Sequence, residues 1–333
     1  MSAQPNSELL QVEDLRVWFP IRQGVFALVR GWVRAVDGVS LVIREGETLG
    51  LVGESGCGKT TLARAVARLE TPRSGSILFR GRNLLASKGR ELRESRRELQ
   101  MVFQDPFSSL NPRMTVLEIV TEGLVEHGMV TRRERVGAAV RLLDEVGLGA
   151  DAAYRFPHEF SGGQRQRISL ARALSMRPSL VICDEPVSAL DVSVQAQVIN
   201  LLMDLKTKHN LSYMLISHDL GVVRHVADRV AVMYLGKIVE EGEVESVIDR
   251  PVHPYTRALV SAIPRALGER GKRIVLEGDV PSPSQPPSGC RFHTRCPHAR
   301  QACSETEPSL EEFSPDNEPP GRRVACLRKR EIG

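Results

Sequence analysis

No run in this 333-residue chain approaches the roughly 18 consecutive apolar residues that a membrane-crossing helix needs, so work at a bilayer would have to go through a partner. The opening residues Met-Ser-Ala-Gln-Pro-Asn-Ser-Glu lack the basic and apolar regions of a signal peptide. Charge of either sign is not in large excess: 45 Lys and Arg against 41 Asp and Glu leave +4. That is too little to argue for nucleic acid or an acidic membrane surface. There is no internal repeat and no long coiled coil. The six cysteines include no paired C-x2-C knuckle, which a zinc ribbon would be expected to show. What is present, 41% apolar and 26% charged residues, suits a soluble globular protein with a large core and room for two domains.

The chain is organised around Gly53-Glu54-Ser55-Gly56-Cys57-Gly58-Lys59-Thr60, with Thr61 behind it, which fits G-x-x-x-x-G-K-[ST]. An apolar run precedes it and Leu62 to Ala67 reads as a helix after it, so a chance Gly-rich turn is the weaker reading. Gly53, Gly56 and Gly58 allow a backbone that wraps its N–H groups round phosphates. Lys59 can reach the β- and γ-phosphates, and the Thr60 hydroxyl can ligate Mg²⁺. A nucleotide loop implies the cytosol, where disulfides are rare. Metal ligation is therefore the better question for the cysteines. Cys57 and Cys183 read as small packing residues.

Around this loop, residues 9–19, 36–43, 48–52 and 75–79 read as strands and the basic stretch 20–34 as a hairpin or loop. Residues 81–98 read as helical and 99–103 as a short buried strand. The apolar spacing over 115–150 predicts a helical insertion, closed by Gly147 and Gly149. A helix to Leu174, a buried strand at 180–183, a helix over 194–208, a strand at 213–217 and a hairpin around Gly236 follow. The alternation predicts a mainly parallel, doubly wound α/β sheet. Near residue 250 aliphatic periodicity gives way to Pro and Ser, and four of the six cysteines appear beyond it.

Asp184 and Glu185 end an apolar strand, where α/β sheets gather their ligands. Asp184 is placed to hold Mg²⁺ and Glu185 to polarise an attacking water. Paired acids elsewhere are usually surface solvation. Gln104 and His218 also follow apolar strands and could sense the γ-phosphate and its water. Phe160-Ser161-Gly162-Gly163-Gln164 makes a second anion-binding turn at a helix start. One chain has no local use for two such turns, so this one would cap a nucleotide held by another subunit. Phe19, or Trp18 beside it, could stack on an adenine, though an aromatic at a strand end is more often simply packed.

These motifs, in this order, resemble the ABC-transporter ATPases over about residues 9–245. The Walker A loop would be Gly53 to Thr60, the Q-loop residue Gln104 (also a Mg²⁺ ligand) and the signature Ser161 to Gln164. Walker B would be Leu180 to Asp184 with Glu185, the D-loop Ser188 to Asp191, and the switch histidine His218. Phe160 stands where Leu is commoner, a change conservative in bulk. Phe19 matches the family's adenine-stacking position. Gln104-Asp-Pro-Phe-Ser-Ser-Leu-Asn-Pro, His253-Pro-Tyr-Thr-Arg-Ala-Leu and Gly289-Cys-Arg-Phe-His-Thr-Arg-Cys-Pro look like the dipeptide/oligopeptide (and nickel) importers, most like their second ATPase subunit.

The resemblance implies a RecA-like P-loop ABC ATPase core with an antiparallel β subdomain over 1–250. It also implies a helical subdomain at about 105–165 and a small Cys-rich extension over 251–333. It implies ATP and Mg²⁺ as ligands and a head-to-tail heterodimer with a paralogous ATPase. Two transmembrane permease subunits would dock around Gln104 and the helical insertion, an extracytoplasmic peptide-binding protein would deliver substrate, and nucleic acid is not expected. The chain would sit peripherally on the cytoplasmic face of the membrane. Cys290, Cys296, Cys303 and Cys326 are spaced x5, x6 and x22, which suits the [4Fe–4S] cluster known in this subfamily. Zinc or free thiols are the alternatives. On that reading the tail is ordered by metal rather than by a core, and it takes no part in hydrolysis. The rival readings are a soluble assembly or mechanochemical ATPase of the same superfamily, a redox-sensing module, and an importer of nickel or another small solute.

Overall fold

The structure is a computed structural model describing residues 7–24, 26–263, 274–313 and 321–332. Two compact units interleave along the sequence. One takes Met1–Ser7, Arg44–Gly46 and Ala86–Met214, the other Glu8–Ile43, Glu47–Leu85 and Leu215–Gly333, so far as these are described.

The second unit opens with a four-stranded layer in the order Leu28–Arg44, Glu8–Gln23, Ser74–Phe79, Arg82–Asn83. Leu10 pairs with Phe79 and Val12 with Ile77, antiparallel, and these four side chains are buried. The stretch 20–34 is a hairpin whose arms simply continue the two long strands, turning between Gly24 and Ala27. The stretch 81–98 is helical only over Gly89–Glu98. Arg80 and Gly81 both take left-handed φ (+49° and +73°), which folds Arg82–Asn83 back onto Leu78–Phe79 as a short strand.

The same unit holds the strand that feeds the phosphate loop. Thr48–Val52 is buried throughout and pairs in parallel with Arg229–Tyr234, from Leu49 opposite Arg229 to Val52 opposite Val232. Such all-buried apolar strands are what a parallel sheet covered on both faces demands. Lys237–Glu243 returns antiparallel, and Arg323–Val324 then Glu311–Glu312 extend that edge.

The expectation that the tail lacks a core is therefore corrected. Phe292, 1% exposed, sits among Tyr234, Tyr255 and His253, with ring centroids 5.2, 5.5 and 5.6 Å away. Arg322 and Glu240, both fully buried, pair at 2.5 Å. The anchors are single aromatics and charges scattered through Pro- and Ser-rich chain, and no periodicity betrays them. Within this tail, residues 314–320 lie outside the described residues.

In the first unit Leu99–Val102 runs parallel to Leu180–Asp184, Leu99 opposite Leu180 and Val102 opposite Cys183. The helical insertion begins at Val116–Glu126, whose start carries a full capping box between Thr115 and Glu118. Arg135–Glu145 ends as predicted at Gly147 (φ +69°), with the Leu148 N–H returned to the Leu143 carbonyl at 2.8 Å. Gly162–Leu174 and Val192–His209 complete the unit's longer helices.

Candidate functional site

In the second unit the chain leaves buried Val52, turns through 53–58 and enters the helix Lys59–Val66. Gly53 and Gly58 have φ of +154° and +111°. A Cβ on either would lie 2.1 Å from a backbone oxygen, that of Met233 or Ala35. Glycine is thus required at both by neighbouring backbone. At Gly56 (φ +80°) the reason is conformational alone, since a Cβ there would meet nothing within 4 Å. Lys59 is buried, and its ammonium donates to the carbonyls of Gly53 (2.7 Å) and Glu54 (3.0 Å). The charge is held at the centre of the loop rather than in solvent. Burial raises the Cys57 thiol above its ordinary range, against the pull of Lys59, so this cysteine is a packing residue as expected. Ser55 is exposed on the loop, and Thr60 and Thr61 are half-buried in the first helical turn.

Three side chains that the sequence motifs do not single out grip this loop. The Tyr255 hydroxyl accepts the Glu54 N–H at 2.7 Å. Arg295 donates to both carboxylate oxygens of Glu54, at 2.8 and 3.2 Å. Arg291 donates to the Leu235 carbonyl and to Asp37, and the next N–H, that of Gly236, reaches the Cys57 carbonyl at 2.9 Å. The only sequence signal for these residues is their place within the His253-Pro-Tyr and Cys290–Cys296 segments.

Trp18 is engaged elsewhere. Its ring lies under Arg34 and Arg73, at 4.9 and 4.6 Å, and its indole donates to Asp37. Phe19 is 37% exposed and open to a ligand. His218 is exposed, directly before the cap Asp219, whose carboxylate accepts the Gly221 N–H at 2.7 Å and the Val222 N–H at 3.3 Å.

In the first unit Asp184 is 2% exposed at the end of its strand, and Glu185 follows with φ +46°. A left-handed glutamate is strained and turns the chain abruptly at the strand end. Gln104 donates its amide to the Glu185 carboxylate at 2.8 Å. Two residues 81 positions apart, singled out separately in sequence, thus meet. Ser161 and Gln164 form a reciprocal capping box at the start of Gly162–Leu174. A Cβ on Gly163 would lie 2.3 Å from the Val194 side chain, so this glycine also serves close packing. Phe160 is buried beneath Arg155, and Asp191 is exposed ahead of the helix Val192–His209.

Cys290, Cys296, Cys303 and Cys326 line one cavity, together with His293, His298 and Phe292, and none forms a disulfide. Burial first, and then the other thiols, push Cys290 up to about 11. Cys296 and Cys326 are raised for the same reasons. Among the described residues no group of three or more His, Cys, Asp or Glu is arranged to hold a metal ion. No helix among them is long and apolar enough to cross a membrane.

Residues 36–188 match the ABC transporter family, and residues 239–303 match the oligopeptide/dipeptide transporter C-terminal region. The chain is 53% identical over 321 residues to the oligopeptide transport ATP-binding protein AppF of Bacillus subtilis, covering 95% of this chain and 98% of that protein. Among solved structures it is similar to the ATP-binding cassette MJ0796 in a dimeric post-hydrolysis state bound to ADP and Pi. That match has a TM-score of 0.63 and 27% identity, over 71% of this chain and 98% of that one. A similar match, with TM-score 0.63 and 26% identity over 74% and 92% of the two chains, is to cbiO1 of Clostridium perfringens, part of the cbiONQ ABC transporter complex.

Proposed function

This chain belongs to the ATP-binding subunits of the ABC transporter family, and from that membership we propose that it hydrolyses ATP to power oligopeptide import. The observation that carries the reading is the joint occurrence of the ATPase motifs and the oligopeptide-transporter C-terminal region in one chain. ATP and Mg²⁺ are the ligands expected of such an ATPase.

The residue roles follow from motif chemistry. The loop 53–60 wraps the phosphates and Lys59 neutralises them, while Phe19 stacks on the adenine. Thr60, Asp184 and Gln104 attend Mg²⁺, and Glu185 polarises the attacking water. The Gln104–Glu185 hydrogen bond supports this assignment, because it orients the carboxylate that must activate water. His218 reads the γ-phosphate. Ser161 to Gln164, with Asp191, serve the nucleotide on a paralogous partner ATPase in a head-to-tail pair. We further propose that two permease subunits dock on the helical subdomain (about 105–165), that a peptide-binding protein delivers substrate, and that the assembly works at the cytoplasmic face of the membrane. The ATPase domain would span 1–250, with 251–333 as its extension.

Four soft thiol donors on one cavity favour an iron–sulfur cluster held by Cys290, Cys296, Cys303 and Cys326. Zinc, which also takes thiolate ligands, is the alternative occupant of the same four residues. Bound there, the group would supply metal–thiolate cross-links to the tail.

The test is transport. Cells whose only copy carries Lys59→Ala should lose uptake of labelled peptides, while the chain still co-purifies with its permeases from detergent-solubilised membranes. Unchanged peptide uptake would overturn the reading.

A further inference from the structure

A carboxylate inside a phosphate-binding loop is an electrostatic problem. Glu54 follows Gly53 directly, and its carbonyl is one of the two that hold the Lys59 ammonium. Its own carboxylate thus belongs to the loop that would hold a nucleotide's phosphates. An uncompensated negative charge there would repel a polyanion and offset part of what Lys59 supplies.

The structure supplies the compensation from a distant part of the chain. Arg295 meets Glu54 with two parallel N–H···O bonds of 2.8 and 3.2 Å. This is the fork geometry that only a guanidinium gives. The Arg295 side chain is 7% exposed and that of Glu54 28%, so the pair is shielded from solvent and salt more than a surface pair would be. The backbone of Glu54 is fixed as well, since its N–H is taken by Tyr255 and so turned away from the anion-binding face. Arg295 cannot drift. Its segment is anchored by buried Phe292 and by Arg291, which bonds Asp37 and the Leu235 carbonyl.

We propose that Arg295 is a positioning residue for nucleotide: it neutralises Glu54, so that the loop presents net positive charge to the triphosphate. This rests on the reading above that the 53–60 loop binds ATP. It also draws the C-terminal extension into nucleotide binding, where the sequence had suggested no part for it.

The experiment is equilibrium binding of ATP with Mg²⁺ to the full-length chain, compared across variants whose unfolding midpoints are also measured. Arg295→Met, which keeps bulk and removes charge, should weaken ATP binding about tenfold. The double variant Arg295→Met/Glu54→Gln should recover most of that loss, because with no carboxylate there is nothing left to neutralise. Arg295→Lys, which keeps the charge but not the fork, should bind between Arg295→Met and wild type, and the loss in Arg295→Met should be smaller for ADP, which carries less charge, than for ATP. Undiminished binding by Arg295→Met overturns the proposal. So does a loss that Glu54→Gln fails to rescue, since a merely structural arginine would behave in that way. Lys59→Ala separates the two levels. If wild type itself shows no Lys59-dependent ATP binding, the reading of the loop fails; if it does and the Arg295 series is flat, only the present inference fails.

Discussion

At Glu185 a single side chain combines a strained backbone with a specific partner, and its removal can be read cleanly. The residue has left-handed φ at the end of a buried strand, and the Gln104 amide holds its carboxylate at 2.8 Å. Glu185→Gln keeps the shape but loses the charge that draws a proton from water. It should lower steady-state ATP hydrolysis roughly 10²–10⁴-fold and leave ATP binding intact. Hydrolysis at the wild-type rate by the assembled variant would remove Glu185 from its role. The candidate site residues stand out in the sequence because each belongs to a short contiguous pattern: the loop glycines and Lys59, the acids after an apolar strand, the serine and glycines at a helix start. Arg295 and Arg291 were not legible. Their partners Glu54 and Asp37 lie 241 and 254 positions away, and nothing in either neighbourhood tells a buried, paired arginine from a solvated one.

Among the elements, the helix Pro254–Ser261 has an unusual start. Its cap is His253, whose Nδ1 accepts the Tyr255 N–H at 3.2 Å, with Pro254 in the first position. His253 is 1% exposed, and burial holds its imidazole down to about 3 from the ordinary 6.5. The His253 backbone N–H donates to the Glu240 carboxylate, which also pairs with Arg322. The folded chain keeps this histidine neutral, as the cap requires, while the unfolded chain takes up a proton below about pH 6.5. Stability should therefore be full above that pH and fall toward about pH 3, by at most about 1.4 kcal/mol per pH unit. Denaturant unfolding at pH 7 and pH 5 checks this. His253→Asn, which can cap but not titrate, should show a shallower loss, and equal slopes in the two proteins would count against it. This helix lies past residue 250, where aliphatic periodicity fades and no helix was expected, whereas those over 115–150 and 194–208 were readable from apolar spacing. What spacing could not give was where strand 8–23 ends or that 82–83 turn back, because those limits are set by pairing with distant strands.

For the whole molecule, the C-terminal segment is part of the architecture. Glu240 accepts from the N–H groups of Val252 and His253 and from Arg322, so one buried carboxylate gathers three stretches of chain. Removing one member of a buried ion pair costs roughly 3–5 kcal/mol, because the other is left charged without its counterion. Arg322→Met should show that loss in urea unfolding, with earlier proteolysis of the tail. Arg322→Met with Glu240→Gln should lose distinctly less. A change below about 1 kcal/mol in the single variant would mean that the pair does not anchor the tail.

The bond between Arg295 and Glu54 also bears on biogenesis. A ribosome adding about 5–20 residues per second needs on the order of 10–50 s to travel the 241 positions between them. Throughout that interval the nascent phosphate loop carries an acid whose counter-ion has not yet been made. Contacts of such long sequence separation form late, after loop-closure entropy has been met by the rest of the fold. Synthesis thus sets the order in which the loop matures: its backbone is translated early, and its electrostatic character is settled only when the Cys290–Cys296 segment arrives.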